Sequence, residues 1–276
     1  MIDESISVLL SIYEGENADH VDAAIESIVE QSVPPTEIVV VKDGPLTSSL
    51  DQTLSVWGSE YPSLFEFVEF EENRGLGIAL REGIQHCSNE LVARMDADDI
   101  AHLDRLETQL RFFKQYPDTD VVGGYVAEFE GDISNSDRVR TVPTDSEQLA
   151  KKARFRCPMN HPTVMYRRAA VLDVGNYRGF RSMQDYDLWA RMLLAGKVLR
   201  NVPEVLVYAR AGDELYRRRG GINYLKIEYQ LQRDFLRRGF VSMPVFAMNM
   251  ASRTAVRFMP NKLREWIYSS FLRINK

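Results

Sequence analysis

Short apolar runs alternate along the first half of the chain with segments whose apolar residues recur every three or four positions. The run from Ile6 to Ile12 has the length of a strand, and its continuity predicts burial on both faces. Val21, Ala24, Ile25, Ile28 and Val29 follow at helical spacing, and Pro34-Pro35 stops that helix. The pattern then repeats. Ile38 to Val41 predicts a second buried strand, stopped by Asp43-Gly44-Pro45, and a helix follows from Ser48 to Glu60. Phe65 to Phe70 alternates as a third strand. Asn73-Arg74-Gly75-Leu76-Gly77 turns into a helix ending near Cys87, and Leu91 to Met95 is a fourth strand. Leu103, Leu106, Leu110 and Phe113 trace one face of another helix, which Pro117 closes before a strand beginning at Val121.

Strand–helix alternation of this kind predicts an α/β fold with a mostly parallel central sheet flanked by helices. In such sheets ligands bind beyond the carboxyl ends of the strands. That rule gathers four distant segments on one edge: Ser11-Ile12-Tyr13-Glu14, Asp43-Gly44, Asn73-Arg74-Gly75 and Asp96-Ala97-Asp98-Asp99. The second half is less regular. Asn160-His161-Pro162 precedes a short strand from Thr163 to Tyr166. Gln184 to Trp189 opens a helix running to about Ala195, and Val205 to Tyr208 is a further strand. Arg217-Arg218-Arg219-Gly220-Gly221 reads as a basic loop, beyond which the chain is helical with breaks at Pro244 and Pro260.

With 276 residues, 45% of them hydrophobic, the chain has enough apolar surface for one large domain and a smaller appendage. Charge sharpens the division. The net charge is -6, yet residues 210–276 hold 14 of the 34 Lys/Arg and only 5 of the 40 Asp/Glu. An acidic body with a basic tail predicts an anionic partner for the tail: a membrane surface, a phosphorylated acceptor or nucleic acid. The start Met1-Ile2-Asp3-Glu4 lacks the basic-then-apolar pattern of a signal peptide. No window approaches the roughly 18 apolar residues of a membrane span. Cys87 and Cys157 form no C-x-x-C pair, so the expectation is two reduced cysteines in a cytosolic protein and no zinc site.

Asp96, Asp98 and Asp99 crowd three carboxylates into four residues after an apolar strand. Mg²⁺ or Mn²⁺ would relieve that repulsion, since such ions take hard oxygen ligands and often share one or two carboxylates with substrate phosphates. A polar turn capping the next helix is the competing account. Asp43 can accept hydrogen bonds from a base N–H or ribose hydroxyls, or simply form an Asp-Gly turn. Asp185, opening a helix with apolar Leu188, Trp189 and Met192, is either a helix cap or a general base, and Asp187 competes with it. His161 is a candidate contact for phosphate or metal, although a histidine before proline is more often a structural loop residue. Arg210 and Arg217 to Arg219 either close over a diphosphate or form a solvated basic loop.

Five segments in order resemble family 2 glycosyltransferases of the GT-A fold. They are Ser7-Val8-Leu9-Leu10-Ser11-Ile12-Tyr13, Val40-Val41-Lys42-Asp43-Gly44, Asn73-Arg74-Gly75-Leu76-Gly77, Met95-Asp96-Ala97-Asp98-Asp99 and Gln184-Asp185-Tyr186-Asp187-Leu188-Trp189. Each is weak alone, and the resemblance covers roughly residues 5–210. Asn160-His161-Pro162-Thr163-Val164-Met165 and the later Arg-Arg-Gly-Gly look like the amylovoran-type subgroup, which builds bacterial exopolysaccharide and O-antigen repeat units.

The resemblance implies a GT-A domain over residues 1–210 and a basic amphipathic helical extension over 211–276. It implies inverting, metal-dependent transfer of a hexose from a UDP-sugar to a hydroxyl of a lipid-linked or growing polysaccharide acceptor. Asp43 would contact uracil, and Ser11, Ile12, Tyr13 and Glu14 would line the base and ribose pocket. Arg74, Ala97 and Arg210 would complete the donor site. Asp98 would bind Mn²⁺ or Mg²⁺ directly, with Asp96 a second ligand or donor contact and Asp99 and His161 as further candidates. Asp185 would be the base; Gln184 stands where the family usually has glutamate, which removes one charge beside it. A single displacement needs no covalent intermediate, so the lack of an obvious activated Ser or Cys nucleophile is no objection.

The tail then acquires a partner. Its apolar residues from Phe240 to Leu272 are interleaved with Arg253, Arg257, Lys262, Arg264 and Arg273. Basic amphipathic helices lie in membrane interfaces, where polyprenyl-diphosphate-linked acceptors reside. The expectation is a cytoplasmic protein attached peripherally to the inner face of the membrane, with no nucleic-acid partner; packing of the helices on the body is the alternative. A nucleotide-sugar-forming nucleotidyltransferase would carry a Gly-rich basic loop after the first strand, where Tyr13-Glu14-Gly15-Glu16-Asn17 is acidic. A dinucleotide oxidoreductase needs G-x-G-x-x-G there, and Gly75-Leu76-Gly77 continues to Leu80. A degenerate transferase-like binding module stays open.

Overall fold

Strand β1 (Ile6–Ile12) shows why its apolar run is unbroken: Ile6, Val8, Leu10 and Ile12 face one core cluster and Leu9 the other. The computed structural model describes residues 4–136, 138–180, 182–210, 221–258 and 274–275. After β1 come α1 (Ala18–Val29), β2 (Glu37–Lys42), α2 (Ser48–Glu60), β3 (Phe65–Glu69), α3 (Leu76–His86) and β4 (Leu91–Asp96). The strands form a parallel block in the order β3-β2-β1-β4. β2 and β4 divide their apolar residues between the two faces as β1 does. Asn17 caps α1 by accepting the Asp19 and His20 amides at 2.8 and 3.2 Å.

The remaining elements are β5 (Ile100–Ala101), α4 (Arg105–Gln115), β6 (Val121–Phe129), β7 (Arg138–Arg140), α5 (Ser146–Ala153), β8 (Met165–Arg167), α6 (Arg168–Asp173), α7 (Gln184–Leu194), β9 (Leu199–Arg210), α8 (Gly221–Arg237), α9 (Met243–Phe258) and β10 (Ile274–Asn275). Beyond β4 the sheet is mixed rather than mostly parallel. β8 runs antiparallel to β4 and to β6, and β7 antiparallel to β6. The link between β6 and β7 is too short for a parallel crossover. β9 is parallel to β6, with register shifts between Gly123 and Val126, and its far end pairs antiparallel with β5 through Val207 and Tyr208. That course carries Arg210 to the end of the Asp96–Asp99 segment.

A third core cluster joins the tail to the body. Leu231 and Phe235 of α8, with Phe240 and Val241, pack on Ala153, Tyr186 and Ala190, and Val245 and Phe246 of α9 pack around them. Buried Asn249 donates to the Arg154 carbonyl at 2.8 Å and to Gln232 at 2.9 Å. Of the apolar side expected to meet a membrane, Phe240, Val241, Val245 and Phe246 are therefore packed against the protein itself, while Met243 and Met248 stay 62% and 52% exposed. The basic loop Arg217 to Arg219, Pro260 and the tail residues Met259, Lys262, Leu263, Arg264, Trp266, Ile267, Tyr268, Phe271, Leu272 and Arg273 lie outside the described residues. Among the described residues no helix is long and apolar enough to cross a membrane, and Cys87 and Cys157 are free thiols.

Candidate active site

The ends of β1, β2 and β4 meet on one edge. Ser11 lies opposite Asp96 across β1 and β4, and the Asp43 amide donates to the Ile12 carbonyl at 2.7 Å. Asp43 is 3% exposed, and its two oxygens accept the Arg74 and Gly75 amides at 2.7 and 2.9 Å. Gly75 precedes α3 with a φ of 86° and no side-chain cap, so Asp43 satisfies these amides from a neighbouring loop. Gly44, at φ +92°, allows the approach: a Cβ there would sit 2.6 Å from the Asn73 nitrogen. Asp43 thus locks two loops together, and a base contact would use its remaining lone pairs. The Arg74 guanidinium rests over the Phe70 ring at 5.0 Å. The Tyr13 ring lies against Gly15, Glu14 is exposed, and the Glu16 amide closes the turn on the Tyr13 carbonyl at 3.1 Å.

The acidic turn is built on two buried arginines. Arg94, 2% exposed, binds Asp96 through both terminal nitrogens, with Nη1 at 2.6 Å from Oδ2. Burial opposes the Arg94 charge, but Asp96 outweighs it and raises the pKa. Arg105 on α4, also 2% exposed, donates to the Arg94 carbonyl at 2.6 Å and to Gln109 at 3.2 Å. Burial, with Arg94 nearby, lowers its pKa to about 9. Ala97 is buried, and Asp99, 5% exposed, accepts the Arg210 amide at 3.1 Å. Arg210 Nε donates to the Asp98 carbonyl at 3.1 Å, and its guanidinium covers the Phe129 ring at 4.9 Å.

Burial and then repulsion from Asp96 push the Asp98 carboxyl above its ordinary range. The same two effects, joined by Asp98, hold Asp99 well above it. The turn therefore holds more acid than it can comfortably ionise, and a cation would offset that. Among the described residues no set of three or more His, Cys, Asp or Glu side chains could hold a metal unaided. A Mg²⁺ or Mn²⁺ that shares its coordination with substrate phosphates needs only one or two carboxylates, which these residues can supply. Asp98 fits best, being partly exposed and, among the described residues, in no ion pair. Asp96 is the poorer ligand because both its oxygens are held by Arg94.

Asp185 lies in the first turn of α7, where the helix dipole favours a carboxylate, and Cys157 Sγ donates to its Oδ2 at 3.4 Å. Asp187 is fully buried and accepts Arg178 Nε and Arg191 Nε at 2.9 Å each, so it is a structural anion. Gln184 is 6% exposed beside Gly77, a place where an amide avoids the cost of a buried charge.

Of the two readings of His161, its surroundings favour the structural one. It is 8% exposed, with Nε2 3.1 Å from the Tyr177 hydroxyl and its ring edge-on to Trp189. Burial, then Arg94, depress its pKa well below the ordinary histidine value of 6.5. The folded state refuses a proton that the unfolded chain accepts below about pH 6.5, so stability is full above that pH and is lost as pH falls through it. Urea midpoints should fall between pH 7 and pH 5, with a limiting slope of about 1.4 kcal/mol per pH unit from this group. His161→Gln should flatten that dependence; an unchanged slope would assign it to other groups.

Several residues here escaped the sequence reading. Arg94 had a visible signal, a charge inside an apolar strand. Cys157, Arg105 and Arg178 had none, because their partners are remote in sequence. His20, in the first turn of α1, is close enough to Arg210 and Asp98 to feel both; burial and then Arg210 lower its pKa, and Asp98 opposes them.

Comparison with known proteins agrees with this architecture. S. aureus TarS 1-349 in complex with UDP-GlcNAc matches with a TM-score of 0.66 at 17% identity, covering 96% of this chain and 79% of that one. The mannosyltransferase PcManGT from Pyrobaculum calidifontis, in complex with GDP-Man and Mn2+, matches with a TM-score of 0.59 at 18% identity, covering 94% and 77%. The fold is the GT-A fold. The family model for glycosyl transferase family 2 matches residues 7–175, and the chain belongs to that family. The amylovoran biosynthesis glycosyltransferase AmsE of Erwinia amylovora is 35% identical over 265 residues, covering 95% of this chain and 97% of that protein. The UDP-Gal:alpha-D-GlcNAc-diphosphoundecaprenol beta-1,3-galactosyltransferase of Escherichia coli is 34% identical over 267 residues, covering 97% and 96%. The protein is a glycosyltransferase.

Proposed function

We propose that this enzyme transfers a hexose, with inversion, from a UDP-sugar to a hydroxyl of a lipid-linked or growing polysaccharide acceptor in bacterial surface-glycan assembly. The observation that carries this reading is the acidic turn at the end of β4, set opposite Ser11 and met by Arg210 from β9. The name of the Escherichia coli relative, with its UDP-Gal donor and diphosphoundecaprenol-linked acceptor, supports the donor and acceptor classes, and that of the Erwinia amylovora relative supports a role in polysaccharide biosynthesis. Residues 1–210 form the transferase domain and 211–276 its extension. Ser11, Ile12, Tyr13, Glu14, Asp43 and Arg74 form the nucleoside end of the donor site, and Asp96, Ala97 and Arg210 its diphosphate end. Asp98 is the principal ligand of Mn²⁺ or Mg²⁺. Bound there, the ion supplies positive charge against the departing diphosphate. Arg210 adds a guanidinium on the same side. Asp185 takes the proton of the acceptor hydroxyl.

A panel of UDP-sugars with Mn²⁺ or Mg²⁺ and a polyprenyl-diphosphate-sugar acceptor tests this. UDP release should accompany a product one hexose heavier, and both should vanish on chelation. A binding module would release no UDP.

The extension attaches the enzyme to the cytoplasmic face of the membrane through the outer surface of α8 and α9. Lys226, Tyr229, Arg233 and Arg237 are exposed at helical spacing along α8. Tyr229 meets Phe246 at 6.3 Å, and beside this seam α9 exposes Met243, Pro244, Ala247, Met248 and Ala251. A basic stripe next to an uncharged apolar face suits an anionic lipid interface. The double substitution Met243→Glu/Met248→Glu should weaken binding to anionic vesicles at least about tenfold and leave UDP release with a soluble acceptor unchanged. Co-sedimentation equal to that of the unsubstituted protein would remove this face as the anchor.

A further inference from the structure

The turn that carries Asp185 is held largely from outside α7. Asp187 is gripped by Arg178 and Arg191, and Arg178 Nη2 also reaches Asp234 Oδ2 on α8 at 2.7 Å. Arg238 Nε donates to the same Asp234 oxygen at 2.8 Å. On the other flank, the Tyr186 hydroxyl donates to the Ala153 carbonyl at 2.7 Å, and its ring meets Phe235 of α8 edge-on at 5.0 Å. Both residues that follow Asp185 are thus tied, directly or through Arg178, to the consecutive α8 residues Asp234 and Phe235.

The residue pair before Asp185 is constrained too. Met183 has a φ of 66°, a conformation that a side-chain-bearing residue keeps only when its surroundings impose it. Met183 packs in the cluster formed by Tyr186, Leu231 and Phe235. Arg178 also faces the donor end: its carbonyl would lie 2.6 Å from a Cβ on Gly77, two residues after the Gly75 amide held by Asp43. One arginine therefore touches the helix that opens at the donor edge, the helix of the base, and α8.

We propose that α8 is a working part of the acceptor end, and that Asp234 is a positioning residue which, through Arg178, fixes the α7 turn relative to the donor edge. The inference rests on Asp185 being the base. It also means that the C-terminal extension is not a detachable anchor: its inner face sets the geometry of transfer.

Full-length Asp234→Asn and Asp234→Glu separate positioning from general support. Asp234 is 26% exposed at its side chain, so the neutral variant should fold. Asp234→Asn should lower kcat for transfer to the acceptor at least tenfold, keep the UDP dissociation constant within twofold, and keep slow hydrolysis of the UDP-sugar by water. Asp234→Glu should recover most of the turnover. Should Asp234→Asn fail to fold, Phe235→Leu, which keeps the ion pairs and loosens Tyr186, should show the same split. Wild-type kcat, or equal losses in UDP affinity and turnover, would overturn the proposal. Asp185→Asn measured alongside distinguishes the two failures. Transfer retained there removes the base, whereas transfer lost there but intact in Asp234→Asn removes only the coupling.

Discussion

Asp185→Asn should reduce glycosyl transfer by about 10²–10⁴-fold and leave UDP-sugar affinity within a few-fold. The substitution preserves size and keeps an oxygen for the Cys157 thiol, which donates at 3.4 Å. It removes the negative charge and with it the capacity to take a proton. The neighbouring acid cannot substitute, because Asp187 is fully buried and both its oxygens are taken by arginines. The donor end should be indifferent, since Asp43, Asp98 and Arg210 stand on other elements. Calorimetric UDP binding with product mass spectrometry separates the two ends of the site. Turnover near normal would sink the base assignment, and joint loss of binding would place Asp185 at the donor instead.

The edge proposed for the donor was legible in the sequence for a physical reason. Strands buried on both faces appear as continuous apolar runs, and the first polar residues after them mark the edge where ligands bind. Ser11, Asp43 and Asp96 were found that way, and the structure brings them together. Arg210 was harder to place, because its approach to Asp98 and Asp99 depends on β9 lying between β6 and β5, two strands remote from it in sequence. The choice between the two readings of His161 was out of reach for a similar reason: nothing local announces that Tyr177 and Trp189 will enclose it. In the tail, amphipathic spacing showed which side of each helix is apolar. It carried no information on whether protein or lipid covers that side, and Phe235 and Phe240 meet protein. The same limit hid the division of labour between Asp185 and Asp187. Both lie in one helical turn; Arg191 pairs with Asp187 from four residues on, but the grip of Arg178 comes from outside the helix and has no local signal.

Asp187→Ala should cost about 3–5 kcal/mol of stability, the range for removing one partner from a buried ion pair. The loss exceeds that of the attraction itself, because Arg191 would remain 7% exposed with its charge uncompensated. Arg191 also donates to the Val174 and Asn176 carbonyls at 2.6 and 2.7 Å, so it cannot swing to solvent without releasing the loop before α7. A surface pair supplies the contrast. Glu147 and Lys151 form an i,i+4 bridge at 76% and 69% exposure, and Glu147→Ala should cost under about 1 kcal/mol. Urea unfolding can be followed through Trp189, fully buried two residues from Asp187. Because Arg178 and Asp187 share one network, the double variant Arg178→Ala/Asp187→Ala should lose clearly less than the sum of its single losses. Additive losses, or a cost for Asp187→Ala no greater than that for Glu147→Ala, would show that the network is solvated and does not hold the α7 turn in place.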